Sequence, residues 1–332
     1  LVTARLVAKG GGWDLPWDVD VSGEVPAPTP DLLLELLVDP SGADGAFSTI
    51  GDALRSSKSP KRVRVRPGVY DESVRIQAPT ELLAEGDVVV RNGRGAPLVV
   101  DHHAFVRGFR LEAGHDDEGT KMQAAWVGDN FARIVDCTMT TERCAVYAGK
   151  KRAEVIVERC TAKEPGIHGM LIENGAHMTL LACTVEGAKG SGVMTLGDGE
   201  LHADGLRVVG ATTAALTFNG DNAVELRDVT VEDCAAHGMQ VLGTSVVRAF
   251  DLRVRNNKGT GALFASKSDA PSEIHGGVFT GNAGNDIGVL GGGASVHAAE
   301  LGVGPVGAVC VQNDGRLQLE GCKVAPTVHP SL

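Results

Sequence analysis

Four consecutive ionisable side chains, His115, Asp116, Asp117 and Glu118, stand in a polar stretch from Gly114 to Lys121. Oxygen ligands this close together suit a divalent cation such as calcium, through Asp116, Asp117 and Glu118. An imidazole beside carboxylates can also move a proton, which puts His115, Asp116 and Asp117 forward as catalytic candidates. Asp101, His102 and His103 form a second group of the same chemistry. Cys137, Cys160 and Cys183 follow one another at intervals of 23 residues. Zinc could use such thiols, but a column of small buried side chains is the commoner cause of that spacing. His168 and His237 each stand directly before a glycine. Placed three repeats apart, they are about 14 Å from each other, too far to share a metal.

The interval of 23 is not confined to cysteine. Cys137, Cys160, Cys183, Leu206, Val229 and Leu252 keep it, and so do Val155, Met178, Leu201, Val224 and Val247. Within each repeat apolar residues alternate with polar ones in short runs broken by Gly, Asn and Asp, which is the pattern of strands. Three short strands per 23 residues, stacked repeat on repeat, predict an all-β, right-handed parallel β-helix of about eleven coils from Val63 to Val324. Residues 46–57 read as a short helix with Ser48 or Thr49 as its N-cap, suited to plug the first coil. The expected organisation is an extended segment over residues 1–45, the β-helix domain over 46–325 and a tail over 326–332.

Composition agrees. Of 332 residues 44 are glycine and only 4% are aromatic, as expected of a core that turns often and stacks aliphatic residues. The net charge of −11 argues against nucleic acid as a partner, since that binding needs a basic surface. No window is long and apolar enough for a membrane-spanning helix. Seven cysteines without CxxC pairs, and no leader at Leu1, point to free thiols and a cytoplasmic setting. The basic cluster Arg55, Lys58, Lys61, Arg62, Arg64 and Arg66 reads as a solvated strand edge.

The stretch Gly45 to Leu54, followed by Val63-Arg64-Val65-Arg66-Pro67-Gly68-Val69-Tyr70, resembles the start of pectinesterase-like β-helices of the pectin-lyase-like superfamily. Repeats such as Cys234-Ala235-Ala236-His237-Gly238-Met239 are similar to the parallel β-helix repeats of carbohydrate-active enzymes and of noncatalytic interaction proteins. The resemblance spans about residues 40–325 and implies the fold. Gln123 resembles the first element of the esterase site, but the two aspartate motifs that should follow are absent.

Enzymes of this fold build their sites on the outer row of the first strand. The 23-residue columns put Tyr147 and Trp126 inside. They put Ala125, Ala148, Leu171, Met194, Thr217, Gln240 and Leu263 outside, flanked by Lys150, Glu173, Asn219 and Leu242. On that assignment the row offers one carboxylate and no aromatic platform. The expected function is therefore a noncatalytic recognition or scaffold module without a cofactor. It would bind a protein, a polysaccharide or further domains of a larger chain through Lys150, Glu173, Asn219 and Gln240. The rival is a lyase, esterase or epimerase acting on polysaccharide at residues 101–129, through His115, Asp116, Asp117 and Gln123. The apolar row would be covered by the N-terminal segment.

Overall fold

The computed structural model describes residues 34–114, 122–302 and 305–324. They form a parallel β-solenoid of about twelve turns, one more than the repeat count suggests. Each turn contributes one strand to each of three faces. Face one is an eleven-stranded parallel sheet from Val74–Ile76 to Val309–Val311, and includes Ala125–Val127, Cys144–Ala148, His168–Glu173 and Val193–Gly197. Face two begins with Lys61–Val65 and continues through Phe131–Val135, Glu154–Glu158 and His177–Leu181 to Arg316–Glu320. Face three carries Thr138–Thr140, Thr161–Lys163, Thr184–Glu186 and their equivalents.

The corner between faces two and three is a single residue in the left-handed region. Asp136, Arg159, Ala182, Gly205, Asp228 and Asp251 hold φ between 46° and 66° in successive turns. One left-handed residue between two extended segments is enough to bend the chain sharply, so no loop is needed. The interior is a stack of aliphatic columns. Val155, Met178, Leu201 and Val224 lie above one another and are almost fully buried. Cys137, Cys160 and Cys183 are also buried, and the Cys160 sulfur accepts the Cys137 N–H at 3.3 Å. They are packing residues, and all seven cysteines are free.

The N-terminal end is closed by the helix Ile50–Arg55, whose Ile50, Ala53 and Leu54 are buried. Thr49 caps it by accepting the Asp52 N–H at 3.1 Å. The Glu72 carboxylate accepts the Ile50 and Gly51 N–H groups at 2.8 and 2.7 Å. At the other end the buried Lys61 ammonium donates to the carbonyls of Leu54, at 2.7 Å, and Ser57. The helix is thus clipped to the first turn at both ends, satisfying backbone groups that a six-residue helix leaves open. Outside it, Leu34–Val38 pairs in parallel with Lys61–Val65 and adds a further layer to face two. Residues 1–33 of the N-terminal segment and the tail lie outside the described residues.

The basic cluster is spent in cross-turn ion pairs: Arg62 with Glu35 and Glu81, Arg64 with Glu85, Arg66 with Asp39. Face three presents Thr138, Thr161, Thr184, Arg207, Thr230 and Arg253 in one outward row, a solvated ladder.

A left-handed alanine carries a cost of about 1 kcal/mol relative to glycine. Ala182→Gly, at φ 51°, is expected to stabilise the chain by roughly 0.5–1 kcal/mol. Ala203→Gly, in an inward column, is expected to destabilise it. Urea unfolding of both variants checks the pair; a loss of stability in Ala182→Gly contradicts the corner geometry.

Candidate active site

The hydrogen-bond register of face one differs from the 23-residue columns at two successive turns. Ala125 pairs with Val146, and Val146 with Met170. The steps are 21 and 24, while face two keeps 23 from Ala132 to Val155 and from Val155 to Met178. The turn entering Cys144–Ala148 is therefore a residue short. The corner leaving it, Gly149 to Ala153, is correspondingly long. Against the column Ala124, Tyr147 and Met170, Ala125 stands one residue late and Val146 one residue early; face two keeps its repeat, but both strands exchange their inner and outer rows.

The outer row of face one consequently reads Arg75, Val99, Trp126, Tyr147, Leu171, Met194, Thr217, Gln240 and Leu263. Ala125, Val127, Val146 and Ala148 point inward and are completely buried. The expectation that Tyr147 and Trp126 face the core is thus overturned. The two rings sit in neighbouring turns, half-buried, on the side where enzymes of this architecture keep their sites.

Both rings recline along their own strands. A Cβ on Gly149 would come within 2.0 Å of the Tyr147 hydroxyl, and one on Gly128 within 3.3 Å of the Trp126 ring. The absence of a side chain two residues ahead lets each ring lie down as a flat platform. The Tyr147 hydroxyl donates to Glu173 Oε2 at 2.9 Å. Burial first, and then this carboxylate, push the Tyr147 pKa up to about 12. Tyr147 is thus a protonated hydrogen-bond donor near neutral pH, and Glu173 is the one carboxylate on its strand. Asp101 lies at the same corner two turns back. It is ion-paired to Arg75, and its carbonyl accepts from Asn130 Nδ2 at 2.7 Å.

The other expected residues are spread out. Lys150 is exposed in the long corner beside Tyr147. Asn219 lies two turns beyond Glu173, with Leu196 between them, about 10 Å away by strand spacing. Gln240 is in the outer row three turns beyond Leu171. Gln123 is nearly buried before the strand Ala125–Val127. His115, Asp116, Asp117 and Glu118 lie outside the described residues. The stem of their loop is described, and the Met122 N–H donates to the Gly114 carbonyl at 3.2 Å. That stem leads into the strand of Trp126. His168 and His237 are turn residues: each Nδ1 accepts the N–H of the next turn, from Ser191 at 3.1 Å and Thr260 at 3.0 Å. Burial lowers both pKa values, so both rings are neutral at pH 7. Among the described residues no group of three or more His, Cys, Asp or Glu side chains is placed to hold a metal ion.

Residues 124–279 match the family model described as right handed beta helix region. The A-module of the Azotobacter vinelandii mannuronan C-5 epimerase superimposes with a TM-score of 0.61 at 9% identity, over 84% of this chain and 92% of that one. A periplasmic alginate epimerase gives 0.53 at 10% identity, over 81% and 78%. The catalytic domain of an α-1,3-glucanase in complex with nigerose gives 0.54 at 11%, over 90% and 69%. No curated protein matches the sequence. The chain folds as a right-handed parallel β-helix.

Gly149→Ala is expected to expel the Tyr147 ring and break its bond to Glu173. The chain has two tyrosines, and both Tyr70 and Tyr147 are held up to about 12. Ultraviolet titration should show no tyrosinate near pH 10 in the parent chain and one tyrosinate there in the variant. Two tyrosines ionising near pH 10 in the parent would contradict the arrangement.

Proposed function

We propose that this β-helix acts on a polysaccharide laid across the outer row of face one, at Trp126, Tyr147 and Glu173. The carrying observation is the pair of reclined aromatic rings in successive turns, next to a carboxylate that accepts the Tyr147 hydroxyl. Flat rings offer a sugar an apolar face, and the carboxylate and hydroxyl fix its orientation. Structural neighbours that are mannuronan and alginate epimerases and a glucanase support the reading over a noncatalytic scaffold.

The described site favours proton transfer over hydrolysis. Hydrolysis of a glycosidic bond uses two carboxylates about 5–10 Å apart, and Glu173 has no described carboxylate partner across the platform. Removing the proton beside a uronate carboxyl needs one base, one proton donor and a positive group facing the substrate's charge. Glu173 fits the base, Tyr147 the donor, and Lys150 the positive group. That chemistry makes the chain a lyase or an epimerase. The acidic loop is the further element of this reading: it directly precedes the strand of Trp126 in the chain, and Asp116, Asp117 and Glu118 are the oxygen ligands that a calcium ion would use.

A panel of polyuronates and neutral glucans, assayed with and without calcium, tests the proposal. Elimination is read by the absorbance of the unsaturated product, and epimerisation by solvent deuterium entering the sugar. Glu173→Gln is expected to lower turnover by at least about 100-fold. Trp126→Ala is expected to weaken binding about three- to tenfold. Binding of a polysaccharide without turnover would instead make the chain a recognition module. A Glu173→Gln variant with full activity would move the chemistry elsewhere.

A further inference from the structure

The outer row next to the platform is apolar: Leu171 and Met194 follow Trp126 and Tyr147 turn by turn, and Leu196 stands two residues beyond Met194, with Leu171 nearly buried and Met194 and Leu196 half-buried. Beside it, the long corner of the fourth full turn carries Lys150, Lys151 and Arg152 in succession, all exposed. Their charged ends make no ion pair among the described residues, whereas Arg62, Arg64, Arg133 and Arg159 are all paired to acids. An apolar strip edged by three unpaired cations fits an occupant that is apolar on one side and acidic on the other.

The chain itself contains that occupant. From Trp13 to Val21 the sequence alternates: Trp13, Leu15, Trp17, Val19 and Val21 are apolar, and Asp14, Asp18 and Asp20 stand between them with Pro16. This is the period of an extended segment with one apolar edge, and no Lys or Arg occurs between Gly10 and Asp31. Its attachment point is also placed correctly. Leu34 begins a face-two strand, so the chain arrives at the corner between faces one and two. The same corner, five strands further along, carries Lys150 to Arg152. Five strand spacings are about 24 Å. The 17 residues from Trp17 to Leu34 can span at most about 55–60 Å, so the chain is long enough to bridge that gap.

We propose that the Trp13–Val21 segment docks on face one of its own chain, apolar residues on Leu171, Met194 and Leu196 and acids against Lys150, Lys151 and Arg152. In this position it overlaps the aromatic platform and competes with any ligand there. The docking itself does not depend on the sugar reading; the competition does.

The test is carbodiimide coupling of carboxylates to amines in the full chain without ligand, followed by peptide mass spectrometry of the monomer fraction. Asp14, Asp18 or Asp20 should couple to Lys150 or Lys151. The ion pair of Glu300 with Lys323, at 4.0 Å, is the internal positive control. Charge reversal of Lys150, Lys151 and Arg152 to Glu should raise acrylamide quenching of tryptophan about twofold. Coupling of the control pair alone, or coupling found only in dimers, overturns the proposal; the second result would give the face to another copy. Trp13→Ala with Trp17→Ala is then expected to tighten polysaccharide binding about tenfold. If coupling occurs but no polysaccharide binds either form, the docking stands and the sugar reading fails.

Discussion

Everything in this chain is built on the spacing between stacked strands. Each turn sits about 4.8 Å from the next, so an inward side chain meets its counterpart one turn away before it meets anything else. The interior therefore stacks like on like, as in the aliphatic column from Val155 to Val224. Most of the interior is aliphatic, with Phe109, Phe218, Phe264 and Phe279 among its largest buried side chains. The corners must turn without loops, and left-handed residues such as Asp136, Ala182 and Gly205 do so one residue at a time. At Asp136, Arg159 and Asp228 the corner side chain joins an ion pair on the surface.

The same constraint shapes the candidate site. A solenoid repeat can absorb a change in one corner only if the next corner compensates. At Cys144–Ala148 a short turn and a long corner do this, and the cost to the core is small because Val146 and Ala148 replace the neighbouring residues inside. The result is that Tyr147 emerges beside Trp126, over glycines that leave room for both rings. Glu173 then finds a phenol hydroxyl 2.9 Å away, and the long corner extends three cations past the edge of the sheet. Two opposite one-residue shifts in neighbouring turns thus generate the platform, its hydrogen-bonded carboxylate and the basic rim.

Much of the fold was legible in the sequence, because face two and the cysteine column keep an unbroken 23-residue step. The helix cap was legible from Thr49, Asp52 and the apolar triplet after them. The platform was not. A step of 23 over the whole repeat hides steps of 21 and 24 within it, and only the hydrogen-bond register separates them. The glycines at 128 and 149 held the missing signal: each follows an aromatic residue by two positions, where a reclining ring would need room. Of the residues expected to bind, Glu173 and Lys150 flank the platform, whereas Asn219 and Gln240 belong to later turns that no sequence interval could have separated from it.

The central claim is that Trp126 forms the outward floor of a sugar-binding face. Its direct test is the emission of Trp126 alone, in a chain carrying Trp13→Phe and Trp17→Phe, during titration with polyuronate and neutral oligosaccharides. A saturable shift or quench with a uronate ligand, lost in Glu173→Gln or Gly149→Ala, is the predicted result. Saturable binding that leaves Trp126 emission unchanged would contradict it.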